Sequence, residues 1–152
     1  MEQILPVVAL AFYALAPALA EKGICTTATT YLSDGESQTK AKTPDRFNHL
    51  WDDVFIALGY RITSCPGASI RLRVTMRIIQ TESAPGRVEV DISGDSGARS
   101  AKYRAKFTAA EYTSDENVVL NRLGFGLCKV METLDPGFME KFNRTYNGGK
   151  KP

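Results

Sequence analysis

Seven cations recur in three short segments: Arg71, Arg73 and Arg77, then Arg87, then Lys102, Arg104 and Lys106, with Glu89 and Asp91 as the acidic residues among them. Alternate residues of a strand share one face, so this spacing gathers positive charge on one side of a sheet. The chemistry such a surface offers is anion recognition, because guanidinium and ammonium groups pair with carboxylates and phosphates. Part of the charge is expected to be spent internally. If the Glu89–Asp91 strand lies between the two basic ones, a cross-strand ladder takes up two or three cations. The others remain for an acidic protein surface, a phospholipid headgroup or a nucleic acid. Arg71, Arg73, Arg77, Lys102, Arg104 and Lys106 are therefore the candidate partner-binding residues.

Covalent chemistry has little to work with. His49 is the only histidine. It is conceivable as a catalytic pair with Asp52 or Asp53, but no nucleophile motif accompanies it, so it reads as a solvated helix residue. Gly94-Asp95-Ser96-Gly97 lacks the length and carboxylates of a calcium loop. Gly124-Phe125-Gly126 does not follow a strand, so it is not a phosphate-binding turn. One His and three Cys exclude a multi-histidine metal site and a dense disulfide scaffold. No catalytic residue, metal or cofactor is expected. Three pairings of Cys25, Cys65 and Cys128 are possible. Cys25 with Cys65 is preferred, since both lie in or beside strand-like segments. Cys128 then remains as a buried thiol beside an apolar stripe. Asn143-Arg144-Thr145 matches a glycosylation acceptor, relevant only in a eukaryotic secretory host.

These groups must be positioned by strands and helices that the pattern outlines. Ile24 to Leu32 is rich in Thr with Ile and Tyr, which favours a strand. Ser33 to Lys42 is polar and reads as a loop. Thr43 as N-cap, Pro44 at the first turn and Asp45 near the dipole open a helix. Phe47, Leu50, Trp51, Val54, Phe55 and Leu58 form its apolar face, and Gly59 stops it. Tyr60 to Ser64 reads as a short strand and Cys65-Pro66-Gly67 as a turn.

Ser69 to Gln80 alternates, with Ile70, Leu72, Val74, Met76 and Ile78 facing in. Arg87 to Ser93 repeats the pattern, placing Arg77 opposite Glu89 or Asp91. Ser100 to Thr108 forms a third strand. Thr81 to Gly86 and Gly94 to Gly97 are the expected turns. A second helix opens at Ser114, with Leu120, Leu123, Leu127, Val130, Met131 and Leu134 as its stripe. Gly124 and Gly126 each cost it about 1 kcal/mol against Ala, which calls for close packing there. Asp135-Pro136-Gly137 ends it, and Phe138, Phe142 and Tyr146 are spaced for a last short helix.

The expected fold is α+β: an antiparallel sheet of about four to five strands with two main helices packed on one face. The helix–three strands–helix portion is similar, in topology alone, to double-stranded-RNA-binding domains. The comparison implies basic residues at the start of the last helix, whereas this helix opens Ser114-Asp115-Glu116.

The chain has 152 residues, 43% of them hydrophobic, and a formal charge of +2, which fits one domain. Residues 1–20 read as a signal peptide: an apolar run from Ile4 ends in Ala18-Leu19-Ala20, an A-x-A site, although Met1-Glu2-Gln3 supplies no basic start. A retained membrane anchor is the alternative. Residues 21–146 form the domain and 147–152 a disordered tail. The expected protein is periplasmic or secreted. It is non-catalytic and binds a protein or envelope component with an acidic surface. The leader argues against nucleic acid, and membrane contact is expected only through an uncleaved N-terminus. The alternatives are a small secreted enzyme or ligand-binding module, with a pocket lined by Trp51, Tyr103 and Phe107, and a polyanion binder.

Overall fold

The computed structural model describes residues 22–43, 51–82, 84–114 and 116–148. Residues 1–21, Pro44 to Leu50 with His49, Ser83, Asp115 and the last four residues lie outside these, and with them the expected signal peptide. β1 (Gly23–Ser33), β2 (Gln38–Ala41), α1 (Asp52–Ala57), β3 (Arg61–Ile62) and a 3₁₀ turn (Cys65–Gly67) come first. They are followed by β4 (Ile70–Thr81), β5 (Ala84–Ser96), β6 (Arg99–Thr108), α2 (Ala109–Ser114), α3 (Glu116–Leu134) and α4 (Phe138–Tyr146).

The architecture is α+β, with a six-stranded sheet in the order β2-β1-β4-β5-β6 and β3 beside β1. The sheet is mixed and larger than the expected four to five antiparallel strands, because β1 runs parallel to both β4 and β3. One-sided alternation looks the same in both directions. What sets the direction is the connection: residues 34–69 supply the long crossover that a parallel pair requires.

Three boundaries differ from expectation. Ser33–Lys42 is not all loop: Gln38–Ala41 pairs with β1. It is an exposed polar edge with no apolar signal to betray it. Asp34 shapes the turn, its Oδ1 accepting the N–H groups of Glu36 at 2.9 Å and Ser37 at 2.8 Å. Strand β5 runs on through Gly94, Asp95 and Ser96, and the turn narrows to two residues between Ser96 and its partner Arg99. Gly97 supplies the positive φ of +63° that this hairpin needs. The Pro85-Gly86 pair likewise falls within β5, which begins at Ala84 opposite Thr81.

Helix formation also starts earlier than Ser114. Thr108 and Glu111 make a reciprocal capping box, each backbone N–H donating to the other's side chain at 3.1 Å. This box opens α2.

The core lies between the inward sheet face and the helices. Ile70, Leu72, Met76, Val90, Ile92 and Phe107 meet Leu123, Leu127, Val130 and Met131 of α3, all buried. The expected tight packing holds at Gly126. A Cβ there would lie 2.2 Å from the Tyr103 ring, so only glycine lets α3 settle on β6. Cys25 and Cys65 are disulfide-bonded across 40 residues. Closing a loop of that size stabilises the fold by about 4 kcal/mol on the chain-entropy view. Cys128 is a free, half-buried thiol, and burial pushes its pKa up, away from reactivity.

Candidate functional site

The outward face of the sheet is ordered in rows by strand register. One row reads Cys25, Arg71, Asp95, Ser100, and the next Thr27, Arg73, Ser93, Lys102. The third reads Thr29, Thr75, Asp91, Arg104. The fourth reads Lys40, Tyr31, Arg77, Glu89, Lys106. All six sequence-chosen cations share this face. They do not share one environment.

Asp91 is the centre of the closed part. It is 5% exposed and accepts from Arg77 Nη2 at 2.7 Å, and from Arg104 Nε at 2.7 Å and Nη2 at 3.1 Å. The two-pronged contact from Arg104 is the geometry in which guanidinium binds carboxylate best. The bonds from Arg104, and then Arg77, hold the Asp91 carboxyl below the usual carboxylate range against the opposing effect of burial. Glu89 lies 3.8 Å from Arg77 and 3.5 Å from Arg87. The anticipated ladder exists, centred on Asp91, which sequence placed on an exposed face and which is in fact buried beneath its own cations.

The open part is different. Arg73, Lys102 and Lys106 are exposed and make no ion pair among the described residues. Arg71 is exposed but engaged: its Nε donates to the Cys65 carbonyl at 3.1 Å, and its guanidinium is 3.9 Å from Asp95. Arg73, Ser93, Asp95, Ser100 and Lys102 line a depression of about 400 Å³ at this end of the sheet.

Other candidates are dispersed. His49 lies outside the described residues, so its pairing with Asp52 or Asp53 has no geometry. No described cavity is lined by Trp51, Tyr103 and Phe107 together. Phe107 is buried in the core and Tyr103 lies beneath Gly126. Trp51 borders an apolar groove of about 410 Å³ with Val54, Leu120, Phe125 and Phe142. No group of metal-ligating side chains occurs among the described residues, and no helix among them is long and apolar enough to cross a membrane.

Sequence reading missed Asp135, taken only as part of a helix stop. It is 5% exposed. It accepts from Lys22 Nζ at 2.6 Å and from the Tyr60 hydroxyl, with Lys141 3.9 Å away. Burial alone would raise its pKa. The bonds from Lys22 and Tyr60 outweigh that and lower it, while burial and the Asp135 bond raise the Tyr60 phenol. The cluster ties the start of β1 to the α3–α4 corner. The clue was the rarity of a buried Asp without partners, but only tertiary structure shows the burial.

No known family model matches the chain, and no curated protein matches it. Among solved structures it is similar to one titled "Crystal structure of uncharacterized protein", at 11% identity and a TM-score of 0.37, over 84% of this chain and 92% of that one. At that level the likeness carries no function, and the functional reading rests on this chain's own geometry.

Proposed function

We propose that the protein is an exported, non-catalytic binding protein that engages an anionic partner through the outward face of its sheet. The partner is a protein or envelope component with an acidic surface. The observation that carries this reading is the set of exposed cations Arg73, Lys102 and Lys106, which form no ion pair among the described residues, on a face where Arg77, Arg87 and Arg104 are already paired. Unpaired cations on an open face create a field that draws and orients an acidic partner. The Cys25–Cys65 disulfide supports an oxidising compartment, in keeping with a periplasmic or secreted location.

The test is capture of acidic proteins from an envelope extract by the wild-type protein and by an Arg73→Glu/Lys106→Glu variant. Lys129→Glu, on α3, serves as a charge control. Capture should fall at least tenfold in the first variant and persist in the control. Equal capture by all three would sink the reading. Arg104 is left intact, since reversing it would unfasten Asp91.

The apolar groove beside Trp51 favours a second reading, a module for a small apolar ligand. Trp51 is the single tryptophan, so its emission reports on such a ligand directly. Emission unchanged by a panel of fatty acids and aromatic compounds would remove this reading.

A further inference from the structure

The middle strand of the outward face supplies the counter-anions, and between Glu89 and Asp95 one outward position does not. Outward residues along β5 run Arg87, Glu89, Asp91, Ser93, Asp95. Glu89 stands in a row between Arg77 and Lys106, and Asp91 in the next row contacts Arg77 and Arg104. Ser93 stands in the same way between Arg73 and Lys102. There the carboxylate is replaced by a short hydroxyl, and the space it would fill is part of the depression of about 400 Å³.

We infer that this notch, bounded by Arg73, Ser93, Ser100 and Lys102, is a binding site for a phosphoryl group. The inference rests on the reading of the face as an anion-binding surface and names the chemistry taken at one point of it. Neighbouring strands are about 4.8 Å apart, so the side chains of Arg73 and Lys102, which flank Ser93 from opposite sides, are long enough to meet a ligand above it. Arg offers a planar fork of donors and Lys a compact charge. The Ser93 and Ser100 hydroxyls add neutral donors to further oxygens. A dianionic phosphate monoester matches two cations in charge and uses more donors than a carboxylate can. Asp95, which also borders the notch, is 3.9 Å from the Arg71 guanidinium in the next row. That pairing offsets its repulsion.

The test follows backbone amide resonances of the full chain during titration with inorganic phosphate, at ionic strength held constant with chloride. Saturable shifts confined to residues near Arg73, Ser93 and Lys102 are the expected result. Ser93→Asp, which restores the missing carboxylate, should abolish them. Arg73→Gln and Lys102→Gln should each weaken binding about tenfold, the effect of one charge-assisted hydrogen bond. Shifts that spread evenly over the face and survive Ser93→Asp would overturn the site. Glycerol phosphate and phosphatidic acid vesicles, set against phosphatidylcholine vesicles, distinguish the source of the group. Saturation by glycerol phosphate alone identifies a soluble ester, and additional co-sedimentation with phosphatidic acid identifies a lipid headgroup. Binding of neither, with no response to phosphate, also overturns the site.

The two readings fail separately. Acidic-partner capture that depends on Arg73 and Lys106 without any phosphate saturation leaves the face and removes the notch. Phosphate saturation lost in Ser93→Asp, with capture unaffected by Arg73→Glu/Lys106→Glu, leaves the notch and removes the acidic partner.

Discussion

On the outward sheet face, Asp91 and Ser93 are two residues apart on β5 and share the same side, yet their surroundings are opposite. At Asp91 the cations turn inward. Arg77 and Arg104 fold over a carboxylate that is 5% exposed, and the charge is consumed within the molecule. At Ser93 the flanking Arg73 and Lys102 remain exposed over a depression. The inner side differs as well. Behind the open end, Gly94 sits where a Cβ would be 2.7 Å from both Leu72 and Leu134 and 2.9 Å from the Arg71 carbonyl. Small residues on both sides make this end of β5 thin. Net charge therefore says little about a basic sheet. What matters is which cations the fold has already neutralised.

Removing the central carboxylate should break the contrast most forcefully. Asp91→Ala deletes three charge-assisted bonds and leaves two guanidinium groups crowded together. Because both guanidinium groups are partly solvated, water recovers some of the loss, and the expected destabilisation is about 3 kcal/mol. Ser93→Ala should change stability by less than about 0.5 kcal/mol. Urea unfolding of the two variants side by side measures the difference, and equal effects would refute the division of the face. Gly94→Ala comes next, at about 2 kcal/mol. One neighbour of the added methyl is a backbone carbonyl that side-chain rotation cannot clear.

Acid titration separates the two ends by a smaller margin. The Asp91 pKa is depressed in the folded protein. Its contribution to stability is therefore fully present above the ordinary carboxylate pKa, about 4, and is lost as pH falls through that value toward the folded one. Ser93 has nothing to titrate. The Asp91→Asn variant should thus show a shallower fall in unfolding free energy below about pH 4 than the wild type. Part of the fall will persist, because Asp135 is depressed in the same direction. An acid limb identical to that of the wild type would mean that Arg104 and Arg77 do not favour the ionised Asp91.

The strands of the outward face were legible in sequence because alternation is a local signal. Ile70 to Ile78 and Val88 to Ile92 point in as expected, and the cations follow by parity. The Cys25–Cys65 pairing followed from placing both residues by strands. The direction of β1 was hidden, since alternation carries no polarity and the deciding crossover has no periodic pattern. The polar strand Gln38–Ala41 was hidden because it buries nothing. The division of the face was hidden for a different reason. Sequence shows that Glu89 and Asp91 lie among cations, but register decides which cations they meet. The open row Arg73–Ser93–Lys102 emerges only from the pairing of β4, β5 and β6. Asp135 was read as a local stop because its partners Lys22 and Tyr60 are 113 and 75 residues away.

The smallest effect asks whether the open row can be converted into a closed one. Ser93→Asp places a carboxylate between Arg73 and Lys102, as Glu89 stands between Arg77 and Lys106. Two new exposed pairs are worth a few tenths of a kcal/mol each. Asp91 and Asp95 at the neighbouring outward positions oppose the gain. Asp91 opposes it weakly because Arg77 and Arg104 already screen it. The net expectation is stabilisation of about 0.5 kcal/mol at low salt, fading as salt screens the pairs. Ser93→Lys should destabilise by a similar amount and recover with salt. Thermal unfolding at low and high ionic strength reads both. If the two variants move in the same direction, the field at position 93 is not set by Arg73 and Lys102, and the open end loses its distinction from the closed one.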